Sequence, residues 1–164
     1  LLRFSRLADT EVEQIDLHQV IDDAYFLAHN RGKEKYIEFQ KEFHNGPLMC
    51  LGNQVLLEQV FVNLFNNAIE AIERFGRVIV RTRVDNNPRG QRNIIVEVED
   101  NGPGIPKEIL PKIFDPFYTT KPIGNTGLGL SISKGIIDMH GGIIYAESQE
   151  GEGTSIVIQL PVPA

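Results

Sequence analysis

Two runs, "RVIVRTRV" at 77–84 and "NIIVEVED" at 93–100, are rich in β-branched residues, and the stretch between them, "DNNPRGQR", is made of turn formers. Such a pair closes as a β-hairpin. A second strand–turn–strand unit follows near the end: "GGIIYAESQ", "EGEGT" and "SIVIQLPV" over 141–162. Everything else in the chain has to be arranged around these hairpins. "EVEQIDL" alternates as a short strand, "YIEFQKEF" alternates strictly, and "PLMCL" reads as a short buried strand. Helices fall between them. Asp16, three residues before Gln19, gives a capping-box pattern opening a helix over about 17–30. A long helix runs from about Asn53 to Phe75, with no Gly or Pro inside. A short one is expected near 106–113, with Pro106 in its first turn, and another from about 127 to 140. Residues 114–126 show no clear period. Hairpins interleaved with helices predict an α+β fold: a two-layer sandwich with helices on one face of a mixed sheet.

The chain has 164 residues and 41% hydrophobic content, enough for one domain with a real core. No repeat or low-complexity tract interrupts it. The formal net charge of −6 argues against nucleic acid as a partner, since phosphate backbones select clustered Lys and Arg. The one cysteine, Cys50, lies in an apolar "LMCLG" context and reads as a small buried hydrophobe, compatible with a reducing compartment. No signal peptide and no apolar run of the ~18–20 residues needed for a bilayer span is found. "LLRFSRL" opens without Met, so the chain reads as a piece of a longer protein.

On the long helix, Leu56, Leu57, Val60, Phe61, Leu64, Phe65, Ala68 and Ile72 form a broad apolar arc. Gln59, Asn63, Asn66, Asn67 and Glu70 take the remaining stripe. Asparagine costs roughly 0.5 kcal/mol per interior helix position relative to Ala, and a solvent face would use Glu, Lys and Arg instead. The asparagines therefore point to side-chain amides wanted for contact. An amide oxygen is a hard neutral ligand that can complete an Mg²⁺ octahedron beside phosphate oxygens. Asn63 and Asn67 are four apart and share a face.

Three glycine clusters follow in order. "DNGPG" (Asp100, Gly102, Gly104) comes directly after a strand, where a carboxylate can accept from an amine and bare glycines admit a flat ring. "GNTGLGL" (Gly124, Gly127, Gly129) opens a helix, whose N-terminal N–H groups can hold phosphate. No Lys-Ser or Lys-Thr follows it, and no strand immediately precedes it, so it is neither a P-loop nor a dinucleotide fingerprint. "GEGT" (Gly151, Gly153, Thr154) on its own is a hairpin turn.

Taken together, "NLFNNAIEA", "DNGPGI", "FDPFYTTK", "NTGLGL" and "GEGT" resemble, in order, the N, G1, F, G2 and G3 boxes of sensor histidine kinases. These ATP-binding domains of two-component systems share a superfamily with DNA gyrase, mismatch-repair ATPases and a heat-shock chaperone. The resemblance covers about residues 11–162, and "YTTKP" looks like the nitrogen-regulation-type branch. It implies a Bergerat-type sandwich with a mainly antiparallel sheet, binding ATP or ADP with Mg²⁺. It implies an ATP-binding catalytic domain at 11–164, with 1–10 the end of an upstream dimerisation helix and its linker.

Carried over by position, Asn67 matches the Mg²⁺ ligand and Asn63 the first Asn of its box. Asp100 matches the carboxylate that binds the adenine amine, and Thr154 the hydroxyl that supports it. Gly102 and Gly104 make room for the base. Residues 114–126 match a mobile lid and Gly127 to Gly129 the turn beside the phosphates. Ile105, Thr126, Leu128 and Leu130 fall along the same nucleotide contact. Where many relatives carry a γ-phosphate Lys this chain has Glu70, so that contact passes to Lys121 on the lid. Asn63, Asn67 and Lys121 are thus the catalytic candidates.

None of His18, His29, His44 or His140 sits in the "His-Glu" setting of the family's phosphoacceptor, and His18 and His140 read as structural. The acceptor then belongs to a separate dimerisation domain. The implied partners are that domain, a response regulator and a second copy of the full-length protein. The implied location is the cytoplasm, with membrane anchoring of the whole protein left open. Two alternatives stand beside the kinase. Gyrase- and chaperone-type ATPases place a general-base Glu four residues before the Mg²⁺ asparagine; here that place is Asn63, which cannot take a proton from water. A degenerate nucleotide-binding module is the other.

Overall fold

The computed structural model describes residues 11–30, 34–118 and 129–162. Its elements, in chain order, are β1 (Glu13–Asp16), α1 (Leu17–His29), β2 (Tyr36–Glu42), β3 (Met49–Gly52), α2 (Gln54–Ala71), β4 (Phe75–Asn86), β5 (Arg92–Asp100), a 3₁₀ turn (Leu110–Lys112), α3 (Gly129–Met139), β6 (Ile143–Gln149) and β7 (Gly153–Pro161). The main sheet has the order β2-β4-β5-β7-β6, and β1 pairs with β3 in a separate ladder. Both expected hairpins form, β4–β5 and β6–β7. β2 runs parallel to β4, because α2 lies between them in sequence and supplies the crossover that a parallel pair requires. The result is the expected mixed, mainly antiparallel sheet with helices on one face.

Inward residues of the strands (Val78, Val80, Val96, Val98, Ile158) and of α2 (Leu57, Phe61, Leu64, Phe65) are almost wholly buried in one core. Burial of a large apolar side chain contributes about 1.5–3 kcal/mol each, so α2 is held by its arc; every apolar position singled out is buried except half-buried Leu56, with Ile72 just past the helix end. Among the described residues no helix is long and apolar enough to cross a membrane.

Four expectations need correction. The long helix stops at Ala71. Ile72 is extended (φ −84°, ψ 124°) with its side chain buried, and Phe75–Gly76 are drawn into pairing with Tyr36–Ile37. Strand pairing thus overrides the unbroken helical pattern. The capping box is half formed: Asp16 caps His18 N (3.1 Å) and also accepts from Leu48 N (3.1 Å), but Gln19 turns to Asp23. β3 is buried on one side only, with Cys50 and Gly52 in and Met49 and Leu51 out. The helix near 106–113 is reduced to the single 3₁₀ turn, since Pro111 has no N–H to extend it.

The histidines read as structural are so. His18 stacks on Phe43 at 4.2 Å and shares a 2.8 Å hydrogen bond with Thr82 Oγ1. His140 donates from Nδ1 to Ile136 O (2.8 Å) and accepts at Nε2 from Asn53 N (3.1 Å), tying the end of α3 to the start of α2. Burial lowers the pKa of both. Burial likewise pushes the Cys50 thiol up to about 11, which leaves it unreactive.

Candidate functional site

The site residues fall on two neighbouring regions, one at the end of β5 and one between α2 and α3. Asp100 closes β5, and the register sets it opposite Thr154 on β7. Its side chain is 7% exposed. Burial pushes its carboxyl up to about 6, against hydrogen bonds from the Gly102 and Thr154 backbone N–H groups that lower it, with Glu99 adding a smaller upward push. Oδ1 accepts from Gly102 N at 2.9 Å. A carboxylate held at this cost is a strong acceptor for any amine that reaches it.

The loop after Asp100 is clamped to the β6–β7 turn. Gly151 N donates to Pro103 O (2.7 Å) and Ile105 N to Ser148 Oγ (2.7 Å). A Cβ at Gly104, where φ is +79°, would strike Gln149 O; one at Gly102 would lie 2.9 Å from Ala71 O. What excludes side chains at both positions is therefore the protein's own backbone, a constraint that the sequence reading did not name.

The second region is built from amides. Asn63 on α2 donates Nδ2 to Gly129 O (3.1 Å) and to Ser133 Oγ (3.2 Å), and Ser133 in turn donates to Gly129 O (2.9 Å). Two acceptors on one side fix the amide's orientation. Ser133 is fully buried and was missed in the sequence; its four-residue spacing from Gly129 was the available signal. Asn67 is half-buried one turn further along α2, Glu70 is exposed, and Leu130 is half-buried in the first turn of α3. Asn66 Oδ1 is buried with no hydrogen-bond partner among the described residues. Lys121, Thr126, Gly127 and Leu128 lie outside the described residues, as do the expected lid residues beyond Tyr118.

The donor set fits a magnesium nucleotide. Asp100 supplies a buried carboxylate at the end of β5, and Asn63 and Asn67 carry half-buried amides on α2, whose oxygens are hard neutral ligands of the kind Mg²⁺ accepts beside phosphate oxygens. No group of three His, Cys, Asp or Glu side chains suited to a metal occurs among the described residues.

Comparison with known proteins shows the family and the fold. The sequence profile described as "Histidine kinase-, DNA gyrase B-, and HSP90-like ATPase" matches residues 52–164. The chain is 40% identical to the sensor kinase CckA of Brucella abortus over 98% of its own length and 18% of that protein. It is 34% identical to the signal transduction histidine-protein kinase AtoS of Escherichia coli over 99% of its length and 26% of that protein. It therefore spans only a minor part of these relatives. Among solved structures, the nucleotide-free catalytic domain of the histidine kinase ThkA superposes with a TM-score of 0.81 at 35% identity, covering 94% of this chain and all of that one. ThkA has also been solved in complex with the response regulator protein TrrA (TM-score 0.76, 32% identity, 93% of this chain and 42% of that one). By this match over most of its length, the chain belongs to the histidine kinase-, DNA gyrase B- and HSP90-like ATPase family.

Proposed function

We propose that this chain binds Mg²⁺-ATP and transfers the γ-phosphoryl group to a histidine on a separate dimerisation domain, in two-component signalling. The observation that favours transfer over hydrolysis is Asn63. Its Nδ2 is spent on Gly129 O and Ser133 Oγ, and an amide at this place cannot take a proton from water. An imidazole acceptor is itself a nucleophile and needs less help from a base.

Asp100 would accept from the adenine amine, with Thr154 beside it. Asn67 Oδ1 would be a ligand of Mg²⁺, and the bound ion neutralises phosphate charge. The N-terminal turn of α3, with Gly129 and Leu130, would face the phosphates with its positive end. Lys121, Thr126, Gly127 and Leu128 join the site in this reading by resemblance. So do the assignment of 11–164 as the catalytic domain, the link through 1–10 to a dimerisation domain, a cytoplasmic location, a homodimeric full-length protein and a response regulator as recipient.

The test is to mix this chain with the dimerisation hairpin of the full-length protein and radiolabelled ATP. The reading expects acid-labile, alkali-stable label on the hairpin and none on the chain itself. Fast phosphate release with no label on the hairpin would favour a gyrase- or chaperone-type ATPase instead.

A further inference from the structure

Ser148 on β6 was not singled out by the sequence, yet it is the joint of the β5 end of the site. Thr154 stands opposite Asp100 on one side and opposite Ser148 on the other, so the three lie in one row across β5, β7 and β6. Ser148 Oγ meets three groups: Ile105 N at 2.7 Å, Gly153 O at 2.9 Å and Thr154 Oγ1 at 2.9 Å. Its one hydrogen has to go to Gly153 O, which can only accept; turned toward Thr154 it would leave two oxygens facing each other at 2.9 Å. The Ser148–Thr154 bond then uses the hydrogen of Thr154.

We infer that Ser148 is a specificity-positioning residue: it holds the Thr154 hydroxyl as an acceptor, so that Asp100 and Thr154 together present only lone pairs to the base. A base edge with an exocyclic amine satisfies this row. A base with a carbonyl at the same place meets lone pairs with lone pairs. Without the Ser148 hydroxyl, the Thr154 hydrogen is released, can turn toward the ligand and can donate to that carbonyl. The inference rests on the nucleotide reading above.

The test compares ADP with inosine diphosphate, which carries a carbonyl in place of the amine and an N1–H in place of the bare N1, by calorimetry on the whole chain. Ser148→Ala should lower the ADP-to-IDP affinity ratio by about tenfold, through gained IDP affinity as much as lost ADP affinity. Ser148→Cys, close in size and a poor hydrogen-bonding group, should do the same and covers the case in which the alanine variant does not fold. Ser148→Thr, which keeps the hydroxyl, should keep the ratio. A purely structural Ser148 would weaken both ligands alike. An unchanged ratio in folded Ala or Cys variants, a lost ratio in the Thr variant, or a parent chain without preference for ADP overturns the inference. A parent chain that binds neither diphosphate overturns the nucleotide reading as well.

Discussion

The two ends of the site are held by different means. Around Asp100 the constraints are mostly backbone, with the Ser148 hydroxyl as one side-chain joint: strand register, the clamp from Gly151 N to Pro103 O, and a glycine at positive φ pressed against Gln149 O. Around Asn63 they are side chains on two helices, joined through one serine. The glycines mark the contrast. A Cβ at Gly104 collides with backbone, whereas one at Gly129 meets, among the described residues, nothing nearer than Asn63 Cγ at 3.9 Å. The first end is shaped by the protein's own backbone. At the second, nothing among the described residues crowds a side chain.

The largest expected effect is at the helical end. Asn67→Ala should cut phosphoryl transfer to the hairpin by roughly 10²–10³-fold, the range found when one preorganised electrostatic contact to the transition state is removed. Single-turnover labelling reads it directly. The glycine contrast comes next. Gly104→Ala should cost about 2–3 kcal/mol in urea unfolding, from a backbone clash at positive φ. Gly129→Ala should change stability by less than about 1 kcal/mol while weakening nucleotide binding. Equal losses at both positions would erase the distinction. Ser133→Ala leaves Asn63 one acceptor short and should cost about 1 kcal/mol of stability, read in the same unfolding experiment.

A further effect is in pH. The folded-state pKa of Asp100, about 6, lies above its ordinary 3.8. Folding therefore takes up a proton between these values. This group's contribution to stability is fully present below the lower value and is lost as pH rises through the upper one. Urea midpoints measured between about pH 4 and pH 7 should show that Asp100→Asn lacks this component of the parent chain's profile.

How far the sequence could be read follows the same division. Patterns carried by short-range chemistry were legible: the two hairpins from their turn formers and β-branched runs, and the apolar arc of α2 from its period. The point where α2 ends was not, because Ile72 leaves the helix for a strand whose partner, β2, lies far off in the chain. Asp100 and Thr154 could be nominated from their motifs. Ser148 could not, since its role exists only once β6, β7 and the loop after Asp100 meet. Ser133 was closer to hand, one helical turn from Gly129, but nothing local says that an asparagine on another helix will reach it.

The account turns on Asp100 as the adenine acceptor, and calorimetry with ADP on the parent chain and on Asp100→Asn tests it most directly. Loss of a charge-assisted hydrogen bond is worth about 1.5–3 kcal/mol, so the account predicts more than a tenfold weaker dissociation constant in a variant that remains folded. An unchanged dissociation constant in folded Asp100→Asn would contradict it.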